Sequence, residues 1–296
     1  MEETRLAKPI EDYIDNSELL QERGKQLATV LHELVLKGGQ PARQVADLLH
    51  GTWLGHPLHP LLTDIVLGAW SIGALFDVIS VLTRSSEAAK AADSLLTIGT
   101  IAAVPTSITG LADFSTIPKP AASAGLAHAI AMDICLGAYL LSLRARSKGK
   151  RGQGLAWSAL GMGVMTVGAY LGGHLVFGKR VGVNRLSDTD KAQSWTAVLA
   201  DGQLPEHEPK EVDVEGQPVL LYRHNGDIFA VSATCPHAEG PLAKGEFNHH
   251  HVRCPWHDSV FNLADGGVVH GPSTYPLALY ETRVRQGHIE IKEIKR

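Results

Sequence analysis

The chain of 296 residues holds only three cysteines, Cys135, Cys235 and Cys254. Three thiols do not make a disulfide framework, so a disulfide-stapled module is excluded. There is no excess of positive charge. The 27 Lys and Arg against 31 Asp and Glu leave a formal net charge of −4, which supplies no basic field for nucleic acid. The opening stretch MEETRLAKPIEDYIDNSELL contains neither an apolar core segment nor a twin arginine, so no export signal is expected there. Mean hydropathy is near zero, but that average hides an apolar middle between two polar ends.

The middle consists of four apolar runs, Leu61–Leu82, Ala91–Leu111, Gly125–Leu143 and Leu155–Phe177. A spanning helix needs about 20 mostly apolar residues, and each run has about that number. The connectors TRSSEAAK, DFSTIPKPAAS and RARSKGKRGQG are short and polar. Gly161, Gly163, Gly168, Gly172 and Gly173 supply the small surfaces that close helix packing in lipid favours. A four-helix membrane domain is expected over residues 56–180, with a buried soluble bundle as the alternative. Cys135 falls inside the third run and reads as a buried structural thiol.

Residues 1–55 read as an amphipathic helical segment. One helix starts at Ser17-Glu18 and ends at Gly38-Gly39 and Pro41, and a second runs through Ala46, Leu48 and Leu49. Such a segment lies on a membrane or packs on its neighbour. Residues 181–194 read as a polar linker. Beyond them come short β-like runs at Trp195–Ala200, Glu211–Val214, Val219–Tyr222, Ile228–Val231, Val268–Val269 and Ile289–Ile291, with turn signals at Glu215-Gly216 and Asn225-Gly226. Residues 195–296 are therefore expected to form an all-β domain.

The chemistry of that domain is concentrated in two loops. The first is Cys235-Pro236-His237-Ala238-Glu239-Gly240-Pro241-Leu242, and the second is Cys254-Pro255-Trp256-His257-Asp258-Ser259-Val260-Phe261. Each supplies one Cys and one His. Such a set suits a pair of irons, one held by two thiolates and the other by two neutral imidazoles. Two Cys and two His also make a structural zinc site, although a zinc finger would group them as Cys with Cys and His with His. The loops resemble the Rieske ferredoxin family in the form CPHxxGxL and CPWHxxxF, over about residues 193–296. The resemblance implies a [2Fe–2S] cluster with Cys235 and Cys254 on one iron and His237 and His257 on the other. It also implies a third, proline-bearing loop at Gly271-Pro272 and Pro276-Leu277 that covers the cluster.

The departures from the family carry information. Asp258 stands where the family often has Gly, placing a carboxylate near the cluster. The extra cysteines of the cytochrome bc type are missing, and Phe261 stands where that type has a sulfur-donating Tyr. Fewer donors to sulfur imply a potential near the bottom of the Rieske range of roughly −150 to +300 mV, as in dioxygenase ferredoxins. His249, His250 and His251 fall between the loops, in an expected exposed hairpin.

Polar groups inside spanning helices default to function. Asp64, Asp77, Asp133, His128 and His174 qualify, with His56 and His59 in GHPLHP just before the first run. In an up-down bundle His56, His59, Asp113, His128 and His174 fall towards one side, the side from which the β domain emerges. His56, His59, His128 and His174 are thus candidates to bind haem b or line a quinone pocket, with helix-end hydrogen bonding as the structural alternative. The segments GHPLHPLLTDI and GGHLVFGKRVGVNR resemble an uncharacterised family of four-helix bacterial membrane domains, over about residues 50–186.

The expectation is a multi-pass bacterial membrane protein whose β domain, on balance, faces the cytoplasm. It acts in one-electron transfer rather than as a stand-alone enzyme and passes electrons between a reductase or quinol and an oxygenase or cytochrome. A redox subunit of a membrane oxygenase or oxidoreductase and a zinc-bearing structural module are the alternatives. Membrane lipid and a redox partner protein are the expected partners.

Overall fold

The computed structural model describes residues 7–186 and 194–294, so half of the linker lies outside the described residues. The chain forms two compact units. One comprises Met1–Lys37 and Leu58–Val181, the other Gly38–Pro57 and Gly182–Arg296.

The first unit contains the four long helices α4 (Leu58–Thr83), α5 (Ser86–Ser115), α6 (Ala122–Ser147) and α7 (Arg151–Gly173). The first three extend their apolar runs at both ends, and α7 extends its run at the start and passes into a π-helical turn over His174–Gly178. A chain without water around it continues its own backbone hydrogen bonds until polar connectors provide other partners. Between 22% and 33% of each apolar window is buried, so most apolar side chains face outward, as lipid requires. The buried centre is a stacked pair, Trp70 on Tyr139 with ring centroids 4.1 Å apart. Gly99 and Gly161 face these rings, and a Cβ on Gly99 would lie 2.5 Å from Trp70 Cδ1. Cys135 is buried and its thiol donates to the Gly161 carbonyl at 3.3 Å, which is the expected structural role. Helices α1 (Lys8–Asn16) and α2 (Glu18–Lys37) complete this unit. Gly24 of α2 meets the Ala122 backbone, where a Cβ would sit 2.5 Å from oxygen.

The second unit is the all-β domain plus one helix. Its larger sheet has the order β1-β10-β9-β4-β3-β2, and its smaller one β5-β6-β7-β8. The strands are β1 (Thr196–Ala200), β2 (Lys210–Val214), β3 (Gln217–His224), β4 (Asp227–Ser232), β5 (Glu246–Asn248), β6 (His251–Arg253), β7 (Val260–Asn262), β8 (Val268–His270), β9 (Leu279–Arg285) and β10 (His288–Glu293). Both expected turns form. Glu215-Gly216 and Asn225-Gly226 each have two positive φ angles, the conformation that a two-residue hairpin requires. His249 and His250 form the β5–β6 turn and His251 opens β6, and of the three only His249 is exposed. Leu220, Leu242, Val252, Phe261, Leu263 and Leu277 form a buried cluster with Cys235 and Cys254.

The helix is α3 (Gly39–His50). The sequence grouped these residues with the amino-terminal segment, whereas the fold places them in the unit of the β domain. Pro41, read as a stop signal, lies in the first turn of α3, where its missing N–H costs nothing.

Candidate metal centre

Two loops bring the four cysteine and histidine side chains together. The first leaves β4 and the second leaves β6. Each is closed by its own backbone: Cys235 N–H donates to Gly240 at 2.9 Å and Glu239 N–H to Cys235, while Cys254 N–H donates to Ser259 at 2.8 Å and Asp258 N–H to Cys254. Glu239 and Asp258 adopt positive φ, 65° and 63°. The loop backbone turns back on itself and directs amide hydrogens at sulfur. The amides of His237 and Ala238 donate to Cys235 sulfur, and those of Trp256 and His257 to Cys254 sulfur. A Cβ on Gly240 would stand 2.6 Å from Cys254 Sγ, so the close approach of the two loops requires glycine there.

The two thiols are hydrogen-bonded to one another. That bond and burial hold the Cys235 thiol well above the ordinary range. Cys254, which receives that bond, is lowered to about 7. The imidazoles of His237 and His257 stand 5.0 Å apart at 84°. His237 is pushed well below the ordinary histidine range, chiefly by burial and then by the positive character of His257, His50 and Arg185. It is therefore neutral, the form that binds metal. The Nδ1 atoms of both rings are buried, and that of His237 meets no hydrogen-bond donor or acceptor among the described residues. A buried imidazole nitrogen without a hydrogen bond is costly and is the atom a metal would satisfy.

No three His, Cys, Asp or Glu side chains converge on one point among the described residues. The four instead divide into a sulfur pair and an imidazole pair, which suits two irons better than one tetrahedral zinc.

The third loop follows β8 as expected, with a cis bond at Gly271-Pro272. Ser273 N–H donates to Ser259 Oγ at 3.0 Å, which ties it to the second cluster loop. Phe261, in place of a donating tyrosine, is fully buried. Several neighbours were not anticipated from sequence. Arg185 N–H donates to the Pro236 carbonyl at 3.1 Å, and its guanidinium lies 3.7 Å from Glu239. Asp47 and His50 of α3 reach the same region. The one sequence signal for them was a shared helix face, since residues three apart lie one above the other.

The four candidate histidines do not form one site. His59 and His128 come together, with ring centroids 6.5 Å apart. Each Nδ1 is bonded to a carbonyl, His59 to Thr106 at 2.9 Å and His128 to Gly168 at 2.8 Å. His174 instead lies 3.4 Å from Glu11. His56 belongs to the other unit, and its Nδ1 bonds the Pro57 carbonyl.

Comparison with known proteins identifies both halves. Residues 194–281 are a Rieske [2Fe–2S] domain. Residues 55–185 match a family of predicted membrane proteins, DUF2231. Among curated proteins the chain is 32% identical over 97 residues to apoptosis-inducing factor 3 of Mus musculus, covering 33% of this chain but only 15% of that protein. It is 28% identical over 100 residues to ferredoxin CarAc of Metapseudomonas resinovorans, covering 94% of the latter. It is 25% identical over 99 residues to the ferredoxin component of a naphthalene 1,2-dioxygenase system of Pseudomonas aeruginosa, covering 95% of it and 33% of this chain. Among solved structures it is similar to the ferredoxin of carbazole 1,9a-dioxygenase from Nocardioides aromaticivorans, at 28% identity over 33% of this chain and 97% of that one, with a TM-score of 0.32. The chain thus joins a DUF2231 match over residues 55–185 to a Rieske [2Fe–2S] domain over residues 194–281.

Proposed function

We propose that Cys235 and Cys254 hold one iron of the [2Fe–2S] cluster, that His237 and His257 hold the other, and that the protein is a low-potential electron carrier anchored in a bacterial membrane. The observation that carries this reading is the division of the four side chains into a touching sulfur pair and a crossed imidazole pair with buried Nδ1 atoms. When bound, the cluster accepts and returns one electron. The chain's own residues orient it, donate four amide hydrogens to its cysteine ligands and exclude water by burying both sulfurs. The ferredoxin components named above support a soluble or membrane redox protein (a reductase, oxygenase or cytochrome) as the partner. The apolar helices support membrane lipid as the surroundings, and we propose the cytoplasmic side for the Rieske domain. A reporter fused after Arg296 that is active only outside the cytoplasm would overturn that orientation.

The test is to purify the full-length protein anaerobically in detergent and record electron-spin resonance before and after dithionite, with iron and zinc contents. A rhombic signal in the reduced protein that disappears in His257→Ala is expected. Zinc without that signal would leave a structural module.

A second reading concerns the bundle. In His59 and His128, each Nδ1 is committed to a carbonyl. That leaves each Nε2 with a lone pair, as in metal-bound histidines whose other nitrogen is fixed by a carbonyl. We assign to this pair, rather than to His56 or His174, the binding of haem b or a quinone. Haem bands lost in both His59→Ala and His128→Ala support haem. A purified protein with neither haem nor extractable quinone would remove the reading.

A further inference from the structure

Helix α3 precedes every membrane helix in sequence, yet it packs on the third loop of the Rieske domain. Asp47 uses both carboxylate oxygens there. Oδ2 lies 2.7 Å from His270 Nδ1, and Oδ1 accepts the Gly271 N–H at 2.7 Å. Gln40, two turns earlier, brings its amide within 3.5 Å of His270 Nε2, so α3 approaches both nitrogens of one ring. Gly271 fits against the helix end with no room for a side chain. A Cβ there would lie 2.9 Å from Thr52 Cγ2, 3.4 Å from Asp47 Oδ1 and 3.5 Å from His50 Cδ2. The helix stops at Gly51 in a left-handed conformation, φ 82°, which brings His50 and Thr52 to that contact. His50 is buried and lies close enough to His237 to weigh on its charge.

These contacts continue to the cluster ligands. Asp47 holds Gly271. Two residues on, Ser273 N–H donates to Ser259 Oγ, and the Ser259 carbonyl accepts from Cys254 N–H. The Rieske match begins at residue 194, so α3 lies outside it. Ferredoxin CarAc, matched over 94% of its length, has no length left for a helix of 12 residues.

We propose that Asp47 is a positioning residue of the iron–sulfur site, supplied from upstream of the membrane helices, which holds the third loop against the cluster loops. This rests on the cluster assignment above. A negative charge beside the site also disfavours the reduced state, so its removal raises the potential.

The test uses the full-length protein in detergent, as wild type, Asp47→Asn, Asp47→Ala, Asp47→Glu and Gly271→Ala. Asp47→Ala is expected to speed amide exchange over residues 271–277, and cluster loss to a chelator, at least tenfold. Gly271→Ala, which wedges the contact while keeping the carboxylate, shifts both in the same direction. Asp47→Asn keeps an acceptor for Gly271 and raises the midpoint potential with an unchanged spectrum, and Asp47→Glu restores part of the protection. The proposal is overturned if Asp47→Ala frees the amides of residues 39–50 while residues 271–277 and cluster loss stay within twofold of wild type. If the wild-type protein shows no reduced iron–sulfur signal, the cluster assignment fails, and the exchange of residues 271–277 still decides whether Asp47 holds the loop.

Discussion

Arg146 grips both carboxylate oxygens of Asp77, at 2.8 and 2.5 Å, with the two side chains only 3% and 7% exposed. Its other donors go to Asp93 at 2.6 Å, Ser158 at 2.9 Å and Ser142 at 3.0 Å, so all five guanidinium hydrogens are used. An aspartate inside an apolar helix reads from sequence as functional. Here Arg146 of α6 pairs with the carboxylate and Arg151 of α7 joins it at 3.3 Å, so Asp77 holds helices together.

Breaking that pair from one side leaves a buried carboxylate with only the longer contact to Arg151, at 3.3 Å. Arg146→Met is therefore expected to destabilise the bundle by about 3–5 kcal/mol, whereas Arg146→Met with Asp77→Leu recovers most of the loss. Thermal unfolding in detergent followed by circular dichroism measures both. Equal losses in the single and double variants would show that the loss does not come from a buried carboxylate deprived of its partner.

Gly240→Ala places a methyl group 2.6 Å from Cys254 Sγ. The loops must separate, so iron per chain is expected to fall by at least half while the far-ultraviolet spectrum is retained. Full iron content would mean that the loops have slack the geometry does not show.

Ser259 is fully buried, and its hydroxyl accepts the Ser273 amide at 3.0 Å. Ser259→Ala leaves that N–H without its acceptor, at about 1–3 kcal/mol. Denaturant unfolding of the Rieske domain, read by tryptophan fluorescence, should shift to lower concentration.

Burial, and then the charge of Glu293, raise the Tyr280 phenol from 10.0 to about 12. A group that holds its proton more tightly when folded stabilises the fold fully below pH 10, and that contribution disappears as pH rises to 12. Two pKa units correspond to roughly 3 kcal/mol. Wild type should therefore lose stability across this window by more than Tyr280→Phe does, and parallel profiles would contradict the burial argument.

The four spanning helices were legible because an apolar run of that length has few other uses. Their ends were not, because Ser85, which caps α5 by accepting the Ala88 amide at 3.1 Å, looks like any other connector residue. The pairing of Cys235 with His237 and of Cys254 with His257 was legible in the sequence, and the fold brings the two sulfurs and the two imidazoles together. Strands β5 to β8 were only partly so, since each is three residues long, too short for alternation to emerge. Strand β9 was missed because Leu279–Arg285 buries only Tyr280 fully and reads as a polar stretch. The role of α3 was hidden for another reason. An amphipathic pattern shows which face is buried but not against what, and Asp47 is 223 residues from His270.

That separation also constrains how the chain threads the bilayer. Asp47 precedes the first spanning helix and His270 follows the last, yet they meet, so the number of crossings between them must be even. Four helices satisfy this parity; three or five would leave the two residues on opposite faces. The same contact sets an order of assembly. Helix α3 is synthesised first and must wait, unpartnered, through insertion of the whole bundle before the strands it serves leave the ribosome. A fragment cut to the Rieske match alone would therefore lack one wall of its own site.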